Sequence, residues 1–161
     1  MTGHAERSMP IRALILVEKR VLNPLFERIL QSPIHPLLSS HLAIIEYEGQ
    51  VSGNWIRTPV VYGRLGKSIV ATTDRNATTW WKNFRGGHPA TLWIKGRPIA
   101  MYGQATLDTT EIVEAYAELS DRSRVWRWTT RGLGVSPTAS KDEREAATED
   151  VVLIVFDECP S

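Results

Sequence analysis

Apolar and polar positions along the chain follow two rhythms, and the change from one to the other divides it into elements. Between Ile11 and about Leu30, the apolar residues Leu14, Val17, Val21, Leu25 and Ile29 recur at steps of three and four, the spacing of one helix face. Pro24 interrupts this rhythm, which predicts two helical pieces with Asn23 as N-cap and Pro24 at the first position of the second. His35-Pro36 then breaks the chain, so residues 11–38 read as a helical segment behind a loose leader of residues 1–10.

The rhythm then shortens to that of strands. Leu42–Glu48 is followed by a turn at Gly49–Gly53 and an answering strand over Asn54–Arg64. Leu65-Gly66-Lys67 turns into Ser68–Thr73. Thr91–Lys95, the turn Gly96-Arg97 and Pro98–Leu107 make a further hairpin. Val151–Phe156, apolar at every position, predicts a last and fully buried strand. Pro59, inside the second strand, predicts an edge or a bulge because it removes one ladder donor. Two helices interrupt the strands. Thr79–Phe84 is short and aromatic and ends at Gly86-Gly87. Asp108-Thr-Thr-Glu111 starts the other in the manner of a capping box, and it carries Ile112, Tyr116 and Leu119 on one face. Residues 131–148 read as a long polar loop. Six strands mostly in hairpin order favour a mainly β (α+β) antiparallel, barrel-like sheet over alternating βαβ units. At 161 residues the chain is the size of one domain, expected over 1–161.

Composition changes this picture mainly through charge. The net charge of +1 excludes a dedicated nucleic-acid coat, yet residues 46–107 carry eight basic and three acidic side chains. Residues 108–161 carry six basic and twelve acidic ones, so an anionic ligand is expected at the middle of the chain. The single cysteine, Cys159, allows no internal disulfide and no cysteine-based zinc site, which favours a reducing compartment. The N-terminal apolar run Ala13–Val17 is too short to span a bilayer, so neither a signal peptide nor a membrane helix is expected.

The familiar catalytic constellations are missing: no nucleophile elbow, no phosphate loop and no His-Glu-x-x-His pattern. The histidines His4, His35, His41 and His88 are scattered, and no metal site is expected. Two segments carry candidate chemistry. In the first, Arg57 and Thr58 stand beside Pro59, which leaves neighbouring backbone free for a ligand, and Arg57 suits a phosphate or carboxylate. An edge strand guarded by charge and proline explains the same residues equally well. In the second, a strand ending in Ala71-Thr72-Thr73 runs through the turn Asp74-Arg75-Asn76 into a helix N-terminus, which attracts anions. Trp80 and Trp81 are about 100° apart on a helix, so one is expected to pack and the other to face a groove. Alternatively, both tryptophans simply anchor the short helix.

Together, Asn23-Pro24-Leu25, the strand Arg57-Thr58-Pro59-Val60-x-Tyr62 and the block Thr79-Trp80-Trp81-Lys82-Asn83-Phe84-Arg85-Gly86-Gly87-x-Pro89 resemble the deazaflavin-dependent nitroreductase family of actinobacteria. That family belongs to the split β-barrel flavin-binding superfamily. The resemblance implies a six-stranded antiparallel split barrel holding coenzyme F-420, whose reduced form delivers hydride to quinones, nitro compounds or activated alkenes. It implies cofactor contacts from Arg57, Thr58, Pro59, Val60 and Tyr62. It further implies contacts from Ala71, Thr72, Thr73, Arg75 and Asn76, with the 72–76 turn holding phosphate. Trp80, Trp81 and Asn83 would close the site. No catalytic side chain is named, since such a cofactor carries the hydride itself.

Other readings stand beside this one: an FMN-dependent split-barrel reductase, a protein that sequesters a cofactor or apolar ligand without turnover, and a plain structural module. Tyr62, Tyr116 and the Trp126/Trp128 region are candidates for a substrate side. The basic amphipathic stretch 11–30 either contacts an anionic membrane peripherally or, the commoner use of such a helix, packs on the barrel. A small-molecule substrate, no nucleic acid, a cytoplasmic location with membrane association through 11–30 as the variant, and a monomer or homodimer complete the expectations.

Overall fold

The computed structural model describes residues 39–127 and 138–160, which belong to one compact unit. The predicted leader, the helical segment 11–38 with its membrane contact, and Trp128 lie outside the described residues, as does the rest of a domain over 1–161.

Six strands close into an antiparallel barrel. They are β1 (Leu42–Glu48), β2 (Trp55–Leu65), β3 (Ser68–Asp74), β4 (His88–Ile94), β5 (Arg97–Thr106) and β6 (Val151–Glu158). Their order around the barrel is β1-β2-β3-β6-β5-β4, with β4 returning to β1. Each predicted strand is present. β4 starts at His88 rather than Thr91, so Pro89 lies inside it. Pro89 is tolerated there because β4 pairs with β5 along its length but with β1 only from Thr91 on.

Alternate residues point inward. Ile45, Tyr47, Val60, Ile69, Leu92, Met101, Ile154 and Phe156 fill the barrel interior. A second core lies outside β3 and β6, where Val70 and Leu153 meet Ile112, Tyr116 and Leu119 of α1 (Thr109–Arg122) and the indole of Trp126. β6 is therefore buried on both faces, which is why its sequence is apolar at consecutive positions. Asp108 caps α1 as predicted, its carboxylate accepting from the Thr110 and Glu111 amides at 2.9 and 3.1 Å.

The short aromatic segment Trp80–Phe84 forms a 3-10 helix that leads from β3 to β4 and plugs one mouth of the barrel. The Phe84 ring meets Tyr47 at 5.1 Å and Phe156 at 5.5 Å between centroids, both edge-on. Gly103 makes room for this plug: a Cβ there would lie 2.7 Å from Phe84 Cδ1 and 2.6 Å from Phe156 Cε1.

One expectation needs correction. The polar loop expected over 131–148 contains a helix, α2 (Lys141–Ala147), opened by a capping box between Ser140 and Glu143. The Ser140 backbone amide, bonded to the Glu143 carboxylate, holds that carboxyl below its ordinary pKa. α2 buries none of its residues, so no apolar rhythm marks it in the sequence.

Replacing Gly103 by Ala should destabilise the barrel by about 1–3 kcal/mol, the usual cost of overpacking. A urea midpoint equal to wild type would show that the plug is not held as tightly as this packing requires.

Candidate functional site: the split between two strands

β2 has eleven residues but two incomplete partnerships. It pairs with β1 from Trp55 to Val61 and with β3 only from Tyr62 to Leu65. β3 in turn continues beyond Ala71 through Thr72, Thr73 and Asp74 beside β6 alone. The two strands thus diverge above the Tyr62–Ala71 pair, and the barrel is split there. Pro59, opposite Ile44, falls in the part of β2 that has one neighbour among the described residues. The predicted edge is real, although it lies within a closed barrel.

Alternation assigns β2 side chains to the two faces of this edge. Ile56, Val60 and Tyr62 pack with the interior, and Thr58 shares their face beside Tyr47. Burial pushes the Tyr47 hydroxyl above the ordinary phenol pKa, an effect that Thr58 partly offsets. Its oxygen is enclosed without a well-formed hydrogen bond. Arg57 and Pro59 lie on the outer face. Arg57 Nε donates to the carboxylate of Glu46, its cross-strand partner, and the guanidinium carbon stands 5.5 Å from the centre of the Trp93 ring. Its two terminal nitrogens make no hydrogen bond to another described residue.

The opposite lip is built by β3 and the turn after it. Ala71 is buried inside, and Thr73 shares a 2.8 Å hydroxyl contact with Thr78. Thr72 faces outward and accepts from the Tyr116 hydroxyl at 3.1 Å. The turn expected to hold phosphate is occupied by its own groups. The Asp74 carboxylate accepts from the amides of Asn76 and Ala77 at 2.7 and 2.9 Å. Arg75 donates through its amide to the Asp150 carbonyl at 2.8 Å, and Asn76 Nδ2 donates to the Asp150 carboxylate at 2.9 Å. Arg75 and Asn76 are thereby strapped to the segment before β6.

At the plugged mouth, Trp81 is the packed tryptophan, with Nε1 donating to the Thr78 carbonyl at 3.1 Å. Trp80 is half-buried and edge-on to Phe84. Asn83 ties the 3-10 helix to the β1–β2 turn: its side-chain oxygen accepts from the Gln50 amide at 2.9 Å, and its carbonyl accepts from Gln50 Nε2 at 2.8 Å. Gln50 Nε2 also lies 3.3 Å from His88 Nδ1, while His88 Nε2 lies 2.7 Å from the Glu48 carbonyl. A carbonyl only accepts, so Nε2 carries the hydrogen and Nδ1 is the acceptor.

The structure therefore gathers Thr58, Val60, Tyr62, Ala71 and Thr73 on the inner side of the split. Arg57, Pro59 and Thr72 lie outside it, and Trp80, Trp81 and Asn83 belong to the plug. Sequence reasoning missed Tyr47 and His88, while Gln50 opened the first candidate segment without a role of its own. Only Tyr47 carried a signal, as an inward position of an alternating strand.

No family model matches the chain, and no curated protein matches it. Among solved structures it is similar to a FAD and heme binding protein from Mycobacterium smegmatis (18% identity, TM-score 0.44, 77% of this chain and 63% of that one). It is also similar to an F420 reductase (14%, TM-score 0.42, 80% and 95%). A third is a pyridoxamine 5'-phosphate oxidase-related, FMN binding protein from Nostoc punctiforme (12%, TM-score 0.47, 98% and 83%). The chain spans 63% of the length of the first of these.

Two outcomes test the geometry. Asn83→Ala should cost about 0.5–1.5 kcal/mol, because water can replace the acceptor lost to the exposed Gln50 amide, and should speed hydrogen exchange at that amide. Unchanged exchange would contradict the staple. Burial also raises the Tyr116 hydroxyl above its ordinary pKa in the folded chain. The unfolded chain then releases this proton first, so the stabilising contribution is complete below about pH 10 and is lost as pH climbs toward the folded value. Tyr116→Phe should therefore lose stability less steeply than wild type above about pH 10. Equal slopes in urea melts would contradict its burial.

Proposed function

We propose that the chain is an oxidoreductase that binds a flavin-type cofactor, a reduced deazaflavin such as coenzyme F-420, along the free edge of β2. Its second substrate is an electron-poor small molecule: a quinone, a nitro compound or an activated alkene. One observation carries this reading. Neighbouring residues of a strand point to opposite faces, so Arg57 and Thr58 can serve one ligand only where the strand has an open edge. Among the described residues, β2 has such an edge over 55–61.

The residues present suit such a group at the edge and not at the following turn. Arg57 keeps two guanidinium nitrogens for a phosphate or carboxylate. Pro59 keeps the edge from recruiting another strand. The buried, underused oxygen of Tyr47 beside Thr58 offers a polar partner at the inner lip. The Asp74 turn has its amides already engaged, so the anionic tail is assigned to Arg57 rather than to the 72–76 turn. When bound, a cofactor of this kind supplies the hydride. The chain's own part is to hold it, orient it and keep water from the inner face through the Trp80–Phe84 plug.

Fluorescence titration with reduced and oxidised coenzyme F-420 and with FMN tests the reading, the FMN arm deciding between the two cofactor types. Arg57→Glu should weaken binding by more than about tenfold, since a charge-assisted pair is worth about 1.5–3 kcal/mol. Binding of neither cofactor by wild type, or unchanged affinity in the variant, would contradict it. Oxidation of the bound reduced cofactor by a quinone or nitroaromatic panel separates an enzyme from a sequestering protein.

A further inference from the structure

We infer that His88 is a pH-sensitive latch: when its ring takes up a second proton, the Trp80–Phe84 plug is unfastened from the β1–β2 turn. The inference does not depend on the cofactor reading.

Two backbone carbonyls fix the protons of the latch. A carbonyl oxygen only accepts, so the group that faces it must donate. The Glu48 carbonyl lies 2.7 Å from His88 Nε2, which puts the hydrogen of the neutral ring on Nε2 and leaves Nδ1 as an acceptor. The Asn83 carbonyl lies 2.8 Å from Gln50 Nε2, so the NH2 end of the Gln50 side chain faces the plug. The same NH2 group lies 3.3 Å from His88 Nδ1 and gives its second hydrogen there. Asn83 is oriented in turn: its Nδ2 donates to the Trp80 carbonyl at 2.9 Å, and its Oδ1 accepts from the Gln50 amide.

A second proton on the ring goes to Nδ1, where it meets the Gln50 NH2 group. Two donors then face each other. Turning the Gln50 amide over gives Nδ1–H an acceptor but sets Gln50 Oε1 against the Asn83 carbonyl. Either way, one of the two contacts made by the Gln50 side chain is lost. The ring is held at that place, edge-on to Tyr47 at 6.4 Å and to Phe84 at 6.0 Å between centroids.

No neighbouring charge offsets this conflict. The titratable or charged groups on the elements packed round the ring are Tyr47 and Glu48 of β1, Lys82 of the plug with Arg85 just after it, and Tyr102 of β5. None of these side chains hydrogen-bonds to the imidazole or forms an ion pair with it. The Glu48 carboxylate lies instead by Gly53, 3.9 Å from where a Cβ would stand. Gln50 is thus the group that registers the proton, and it is also the group that fastens the plug.

Amide hydrogen exchange of the full chain tests the latch at about pH 8 and about pH 5, on either side of the ordinary histidine range, each rate divided by the intrinsic rate at that pH. In wild type, protection at the Gln50, Arg85 and Gly87 amides should fall about twofold to tenfold in acid, the fold-change of one hydrogen bond. The β3–β6 ladder should keep its protection. His88→Gln takes up no proton and should show no such fall. If thermal melts show that this variant unsettles the fold, Gln50→Ala makes the comparison, because it keeps the histidine and removes the donor facing it. It too should lose the pH dependence. Equal protection at both pH values in wild type, an equal fall along the β3–β6 ladder, or a fall of wild-type size in the variants would each overturn the proposal.

Discussion

β2 has eleven residues, and its divergence from β3 above the Tyr62–Ala71 pair is the constraint on which the site depends. Below the Tyr62–Ala71 pair the two strands complete the sheet. Above it, among the described residues, each keeps one neighbour, β2 on β1 and β3 on β6. The opening exposes backbone on β2 that would otherwise template aggregation, and the residues along it answer that hazard. Pro59 removes a donor, and Arg57 places a charge. The features that protect an edge also suit an anionic ligand, so protection and recognition need not be separate tasks.

The opening is tolerated because the mouth above it is plugged. Phe84 is wedged between Tyr47 and Phe156 over Gly103, and Asn83 fastens the plug to the β1–β2 turn through Gln50. On the other lip, Asp74 closes its own turn and Arg75 and Asn76 hold to Asp150. The lips are therefore fixed from both sides. Outside the barrel, α1 covers β3 and β6.

The strands were legible because alternation is a physical consequence of a half-buried sheet. Val151–Phe156 stood out because α1 buries its second face. Pro59 announced an edge, and the edge exists. What was not legible depended on contacts between distant segments. The resemblance placed phosphate at the 72–76 turn, and the residues themselves offered only a strand end leading into a helix N-terminus, which attracts anions. Only the folded chain shows the aspartate occupying those amides and Asp150 claiming Asn76. α2 carried a capping box but no apolar stripe, and a helix that buries nothing leaves no periodic trace. Arg57 and Thr58 were chosen as neighbours in sequence. That they flank a free edge from opposite faces follows from the register alone.

The proposed function requires the stretch of β2 that lacks a second neighbour among the described residues to receive the ligand. Amide hydrogen exchange of the full chain, with and without saturating reduced coenzyme F-420 or FMN, measures this residue by residue. Slower exchange concentrated at residues 55–61 is expected when either cofactor binds. Binding that protects other segments and leaves 55–61 at the rate of the free chain would contradict it.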